Sequence, residues 1–193
     1  EGSNEEIAPA RLKYIQEKCD CPPMPGVQRE FIEWTARYTM ADMGSVLKMS
    51  LSAPEALAPP KRARLSEAPC QMTEVPANTL HFSESQRQAA DGLKELVVAR
   101  DYGAALLDGV TGAGKTEVYF EAVAETLRQG RQALILLPEI GLSTQFLERF
   151  ERRFGMLPAL WHSEVTPAQR RIVWRGVAEG KTRVVVGARS ALF

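Results

Sequence analysis

The rhythm of apolar positions changes near residue 80. Before it, apolar side chains recur only over Gln28–Leu51: Phe31, Trp34, Thr35 and Tyr38 share one face at helical spacing, and Val46, Leu47 and Leu51 carry a second segment. Two short helices are predicted, a pattern that fits either a helix-turn-helix or winged-helix piece or a plain helical hairpin. From Ser52 to Thr79 large apolar groups are sparse and five prolines intervene. Such a stretch buries little surface, which predicts a solvated, partly extended linker.

Beyond it, short apolar runs alternate with helix-period segments. Ser83 and Gln86 form a Ser-x-x-Gln capping box that opens a helix to about Ala99. Ala104–Leu107 is predicted as a short buried strand. A helix from Lys115 to Gln129 follows, apolar at Val118, Ala122 and Val123 and closed by Gly130. Ala133–Leu137 is a continuous apolar run, as expected of a parallel strand covered on both faces. The next helix carries Gln145, Phe146, Phe150 and Phe154, and a short strand is expected at Ala159–Trp161. Thr166-Pro167-Ala168-Gln169 is a second capping box with Pro at the first helical position; its helix ends at Gly180, before a strand at Val184–Val186. This βαβαβαβ order predicts a doubly wound parallel α/β domain.

The chain has 193 residues, 45% hydrophobic and 25% charged, enough for one sizeable domain and a smaller module. Zero net charge removes any global attraction to nucleic acid, but the charge is unevenly spread. From Arg149 to Phe193 nine Lys/Arg face three Asp/Glu, whereas residues 1–80 hold nine against eleven. The basic C-terminal third is either a phosphate-binding face or a solvated helix surface. In the linker, Lys61, Arg62 and Arg64 allow linker charge or a DNA-backbone contact. Cys19, Cys21 and Cys70 lack the spacing of a disulfide framework or a zinc site and read as reduced thiols. No long apolar run or signal peptide is present, so a cytoplasmic protein without a membrane partner is expected. The first residue is Glu1 rather than Met, as expected of a fragment or a processed chain.

The chemistry-bearing motif lies between the predicted strand at Ala104–Leu107 and the helix at Lys115. Gly109, Val110, Thr111, Gly112, Ala113, Gly114, Lys115 and Thr116 match Gly-x-x-x-x-Gly-Lys-[Ser/Thr] in full. Gly112 and Gly114 let the backbone curl so that successive N–H groups surround phosphate oxygens, helped by the positive end of the following helix. Lys115 is expected to reach the β- and γ-phosphates of ATP as a mobile point charge. Thr116 offers a hydroxyl to Mg²⁺. Fast hydrolysis also needs an acid to hold the magnesium shell. Asp108, Glu117 and Glu139 are candidates, but none follows an apolar strand in the Asp-Glu manner.

Together these stretches resemble the first motor lobe of superfamily 2 helicases, and within them the PriA family of primosomal replication-restart helicases. Asp108-Gly-Val-Thr-Gly-Ala-Gly-Lys-Thr-Glu-Val-Tyr119 is similar to that family's phosphate loop. Leu137-Pro-Glu-Ile-Gly-Leu-Ser-Thr-Gln145 resembles its motif Ia, and Trp161-His-Ser163 with Gln169, Arg170 and Trp174 resembles the next segment. Val186-Gly-Ala-Arg-Ser-Ala-Leu-Phe193 is similar to its Gly-Thr-Arg-Ser-Ala-Leu-Phe motif, with Ala188 in place of Thr.

The resemblance implies a truncated P-loop (RecA-like) lobe over residues 80–193, a linker over 53–79, a winged-helix-like module over 21–52 and the end of a 3′-DNA-end-binding domain over 1–20. It also implies an ATP-dependent, 3′-to-5′ DNA helicase acting at stalled or branched forks, with primosomal and single-strand-binding proteins as partners. Gln86 would read adenine, or else only complete its capping box. Pro138, Ser143, Thr144, Gln145, Arg189 and Ser190 would contact single-strand phosphates. Ordinary capping competes at Ser143, and a structural role is expected for His162. In the family an Asp-Glu-x-His box, a second lobe with an arginine finger and a zinc-binding cysteine module follow later, so this chain is expected to bind nucleotide without useful hydrolysis. Another P-loop enzyme, such as a small-molecule kinase, and a fork-binding module without catalysis are the competing classes.

Overall fold

A computed structural model describes residues 18–19, 21–57, 70–72, 74–138 and 143–192. Residues 1–17 and 20 of the expected DNA-end-binding segment 1–20, the Lys61, Arg62 and Arg64 cluster, Glu139 and Phe193 lie outside these residues.

The N-terminal module consists of α1 (Gly26–Thr39) and α2 (Met43–Ser50). Asp42 caps α2 by accepting from the Ser45 N–H at 2.8 Å. Ile32 and Ala36 of α1 close on Val46 of α2 in a small core of their own. Trp34 and Tyr38 instead stack in the open, 57% and 74% exposed, with ring centroids 5.0 Å apart.

The main body runs α3 (Glu84–Ala99), α4 (Lys115–Arg128), β1 (Ala133–Leu136), α5 (Thr144–Phe154), β2 (Ala159–Trp161), α6 (Pro167–Ala178) and β3 (Val184–Gly187). Both predicted capping boxes form, at Ser83/Gln86 and Thr166/Gln169. The three strands are parallel in the order β1-β3-β2, with Ile135 opposite Val186 and Leu160 also opposite Val186. The chain passes over the place of β3 to make β2 and then steps back. Right-handed crossovers in opposite directions place their helices on opposite faces. Accordingly, Phe146, Phe150 and Phe154 of α5 join Val184 and Val186 on one face, while Val173 of α6 packs with Val185 on the other. The doubly wound parallel arrangement is therefore observed.

The first face holds the principal core. Phe120 of α4 meets Phe146, Phe150 and Phe154 edge-on, with centroids 5.8, 5.6 and 5.4 Å away. Edge-to-face pairing adds to the area these rings bury. Their helix positions explain the arrangement: 146, 150 and 154 form one stripe along α5 at a spacing of four residues.

Three expectations need correction. The run at Ala133–Leu137 forms β1, but not covered on both faces: it is an edge strand among the described residues, with Leu134 and Leu136 each 44% exposed. Ala104–Leu107 forms no strand: it is paired with none among the described residues, and Leu106 is 93% exposed. An apolar run becomes a strand only where a neighbour completes its hydrogen-bond ladder, and the sheet described here ends at β1. The expected solvated linker is instead packed at both its described ends. Ala53 and Ala56 are buried against Trp161 and Val173, and Ala56 accepts from Arg175 at 3.2 Å. Cys70 and Met72 join the principal core, and the Arg183 N–H donates to the Cys70 carbonyl at 3.1 Å. Small residues fit shallow grooves that large ones cannot enter, so counting large apolar groups understated the burial.

Candidate nucleotide site

The phosphate loop is shaped by its glycines. Gly112 and Gly114 have φ of +84° and +77°, in the left-handed region where a Cβ is strained. Around Gly112 an added Cβ would meet nothing within 4 Å, so the loop borders open space at that residue. The Ala113 N–H donates to the Val110 carbonyl at 3.2 Å and closes a turn. Gly114 then caps α4 without any side-chain acceptor. The first N–H groups of α4 are thus left for an external partner.

The candidate side chains lie on or next to this loop. Lys115 folds back, its ammonium donating to the carbonyls of Gly109 and Val110, the latter at 3.3 Å. Asp108 accepts from the Gly109 N–H at 2.7 Å, a local capping role. Thr116 lies one residue into the helix. Burial pushes the nearby Tyr119 phenol above its ordinary value, and a hydrogen bond with Thr116 opposes that shift. Glu117 pairs with Arg149 of α5 at 3.7 Å, and both line the pocket beside Gly112 and Gly114.

Gln86 completes its capping box and reaches the loop as well. Its Oε1 accepts from the Ser83 N–H at 2.9 Å, while Nε2 donates to the Ala113 carbonyl at 3.0 Å. Gly114 is indispensable here, since a Cβ on it would lie 2.6 Å from that Nε2. Gly114→Ala is expected to cost about 1–2 kcal/mol from the left-handed backbone alone and to push Gln86 off the loop. Thermal unfolding of the variant checks the first effect.

Beside the loop lies an open pocket of about 330 Å³, between the segment Ala77–Phe82, Gln86 with Gly112 and Gly114, and Arg149, Arg152 and Arg153 of α5. This half of the site is missing from the sequence reading. Arg153 is buried at 6% exposure, with Nε 2.9 Å from Oε1 of Glu121, itself at 5%. Lys94 of α3 adds a longer contact to Glu121 at 3.9 Å. The available signal was the position of Arg153 inside the Phe150–Phe154 stripe, where an unpaired charge would be costly.

The remaining candidates gather at the carboxyl ends of β1 and β3. The Leu137 N–H donates to the Gly187 carbonyl at 2.9 Å, which sets these ends side by side. Pro138 follows β1 and is exposed. Ser143 caps α5, accepting from the Phe146 N–H at 3.3 Å, and Thr144 and Gln145 form the exposed start of that helix. Arg189 and Ser190 open an exposed 3₁₀ turn directly after β3. In open α/β sheets ligands bind at this edge. His162 follows β2 at the same edge, where its carbonyl accepts from Arg170 at 3.0 Å and Arg170 lies over the Trp161 ring. Among the described residues no cluster of three or more His, Cys, Asp or Glu could hold a metal ion. No helix there is long and apolar enough to cross a membrane.

Residues 84–193 match the DEAD/DEAH box helicase family, and the chain belongs to that family. Residues 1–52 match a 3′DNA-binding domain (3′BD). Among curated proteins, the chain is similar to the replication restart protein PriA of Rickettsia felis, at 38% identity over 189 residues, which is 95% of this chain and 27% of that protein. The PriA proteins of Haemophilus influenzae and Bacillus subtilis are 43% and 39% identical over 55% and 59% of the chain. The chain thus spans about a quarter of the length of the first of these relatives, 27%.

Proposed function

We propose that the main body is the ATP-binding lobe of a DNA helicase that works on forked or single-stranded DNA during replication restart. The observation that carries this reading is a phosphate loop held open and uncapped, on the same lobe as an exposed polar edge at Pro138, Ser143–Gln145 and Arg189–Ser190.

The residues fit Mg·ATP. The loop N–H groups of Gly112, Gly114, Lys115 and Thr116 would bind phosphate oxygens, with Lys115 swinging from the loop carbonyls to the β- and γ-phosphates. The Thr116 hydroxyl would enter the magnesium shell, the ion supplying charge neutralisation for phosphoryl transfer. Gln86 keeps one lone pair on Oε1 and one N–H on Nε2 after its two observed bonds. That pair matches the amino group and ring nitrogen on one edge of adenine.

The polar edge would hold the DNA backbone. Arg189 supplies charge, and Ser143, Thr144 and Ser190 supply small donors, a sequence-independent and salt-sensitive mode. Primosomal and single-strand-binding proteins would be the partners of the longer protein.

Fluorescence anisotropy with forked, single-stranded and duplex DNA, with and without a non-hydrolysable ATP analogue, tests this reading. Forked or single-stranded DNA should bind, more weakly at higher salt and in Arg189→Ala. A longer protein that carries this lobe and a second one, yet binds none of the three DNAs, would overturn it.

A further inference from the structure

Glu121 and Arg153 form a buried charged pair on the two helices, α4 and α5, that supply the four phenylalanines of the principal core. A buried ion pair gains little net stability over a well-packed apolar pair of similar volume, so its contacts indicate what it holds. Both partners hold the same short segment. Asn78 Nδ2 donates to Glu121 Oε1 at 2.8 Å, and Arg153 Nη1 donates to the Pro76 carbonyl at 2.7 Å. That segment runs directly into Thr79–Phe82, the pocket wall facing the phosphate loop, and on to Ser83 and Gln86. Glu121 meanwhile rides on α4, the helix that the phosphate loop leads into. One pair therefore ties the wall of the pocket to the helix that carries the phosphate cradle.

We infer that Asn78, Glu121 and Arg153 are positioning residues: they fix the wall Asn78–Phe82 at a set distance from Gly112–Thr116, and so set the fit of the nucleoside half of ATP without touching its phosphates. This rests on the nucleotide reading above. It separates two halves of one site. The cradle is built by local turn geometry within Gly109–Lys115, whereas the wall depends on contacts from residues distant in sequence.

The test is a pair of titrations on the whole chain, one with Mg·ATP and one with magnesium tripolyphosphate, which has the phosphates but no nucleoside. Asn78→Ala and Arg153→Lys should each weaken ATP by about tenfold, the loss of one well-placed contact network, and leave tripolyphosphate within about twofold. Asn78→Gln, which retains the amide donor, should recover part of the ATP affinity. Asn78 lies at the edge of the network and its removal spares the core, so this variant decides the matter if Arg153→Lys fails to fold. Unchanged ATP affinity in Asn78→Ala overturns the inference, as does an equal loss of both ligands, which is the mark of general loosening. If the unaltered chain binds neither ligand, the nucleotide reading itself fails and the inference falls with it.

Discussion

Lys115→Ala should lower the affinity of the chain for Mg·ATP by about 10²-fold. Hydrogen bonds to charged groups contribute about 1.5–3 kcal/mol each, and an ammonium reaching two phosphates would make at least two. The structure argues for the lower end of the resulting range. Lys115 already donates to the Gly109 and Val110 carbonyls, so reaching the phosphates exchanges bonds rather than adding them to an idle side chain. Calorimetric titration of both proteins checks the figure. An affinity within threefold of the unaltered chain would mean that Lys115 stays on its own loop when nucleotide binds. In the longer protein the same substitution should stop hydrolysis while fork binding persists, because the residues proposed for DNA lie elsewhere.

Phe120→Ala should be the most destabilising single truncation, by about 3–5 kcal/mol. The ring is 1% exposed and touches three other phenylalanines. Domains of this kind are stable by only about 5–15 kcal/mol in total, so the loss is a large share. The surrounding rings belong to a second helix pinned by Arg153 and Glu121, and cannot collapse into the cavity. Leu106→Ala provides the contrast: at 93% exposure it should shift stability by no more than about 0.5 kcal/mol. Urea midpoints of the two variants test this pair, and a comparable loss in both would show that Leu106 packs in solution.

What the sequence could reveal was local. Both capping boxes, the Phe146–Phe150–Phe154 stripe and the strand at Val184–Val186 depend on residues close in the chain, and each stands where its pattern placed it; of the strand–loop–helix context expected for Gly109–Thr116, only the helix from Lys115 forms. What it concealed depends on partners far away. Ala104–Leu107 has the composition of a strand, but pairing is a property of two segments, and here the second is lacking among the described residues. Ala53 and Ala56 were too small to register as core, yet they fill grooves on α6 and β2. The base-side half of the site was hidden for the same reason. Arg153 and Glu121 are 32 positions apart and Arg153 and Pro76 are 77 apart, so neither contact leaves a periodic trace. Gln86 lies between the two cases: its capping role was readable, while its bond to the Ala113 carbonyl spans 27 positions and was not.

Amide-resolved NMR of the labelled chain, titrated with Mg·ATP, tests most directly the proposal that Gly109–Thr116, with Gln86 beside it, binds nucleotide. Saturable shifts are expected at the backbone N–H groups of Gly112, Gly114, Lys115 and Thr116 together with the side-chain amide of Gln86. Tripolyphosphate should move the loop signals and leave Gln86 nearly in place. No shift in the loop at saturating Mg·ATP, or shifts confined to residues outside it, would contradict the account.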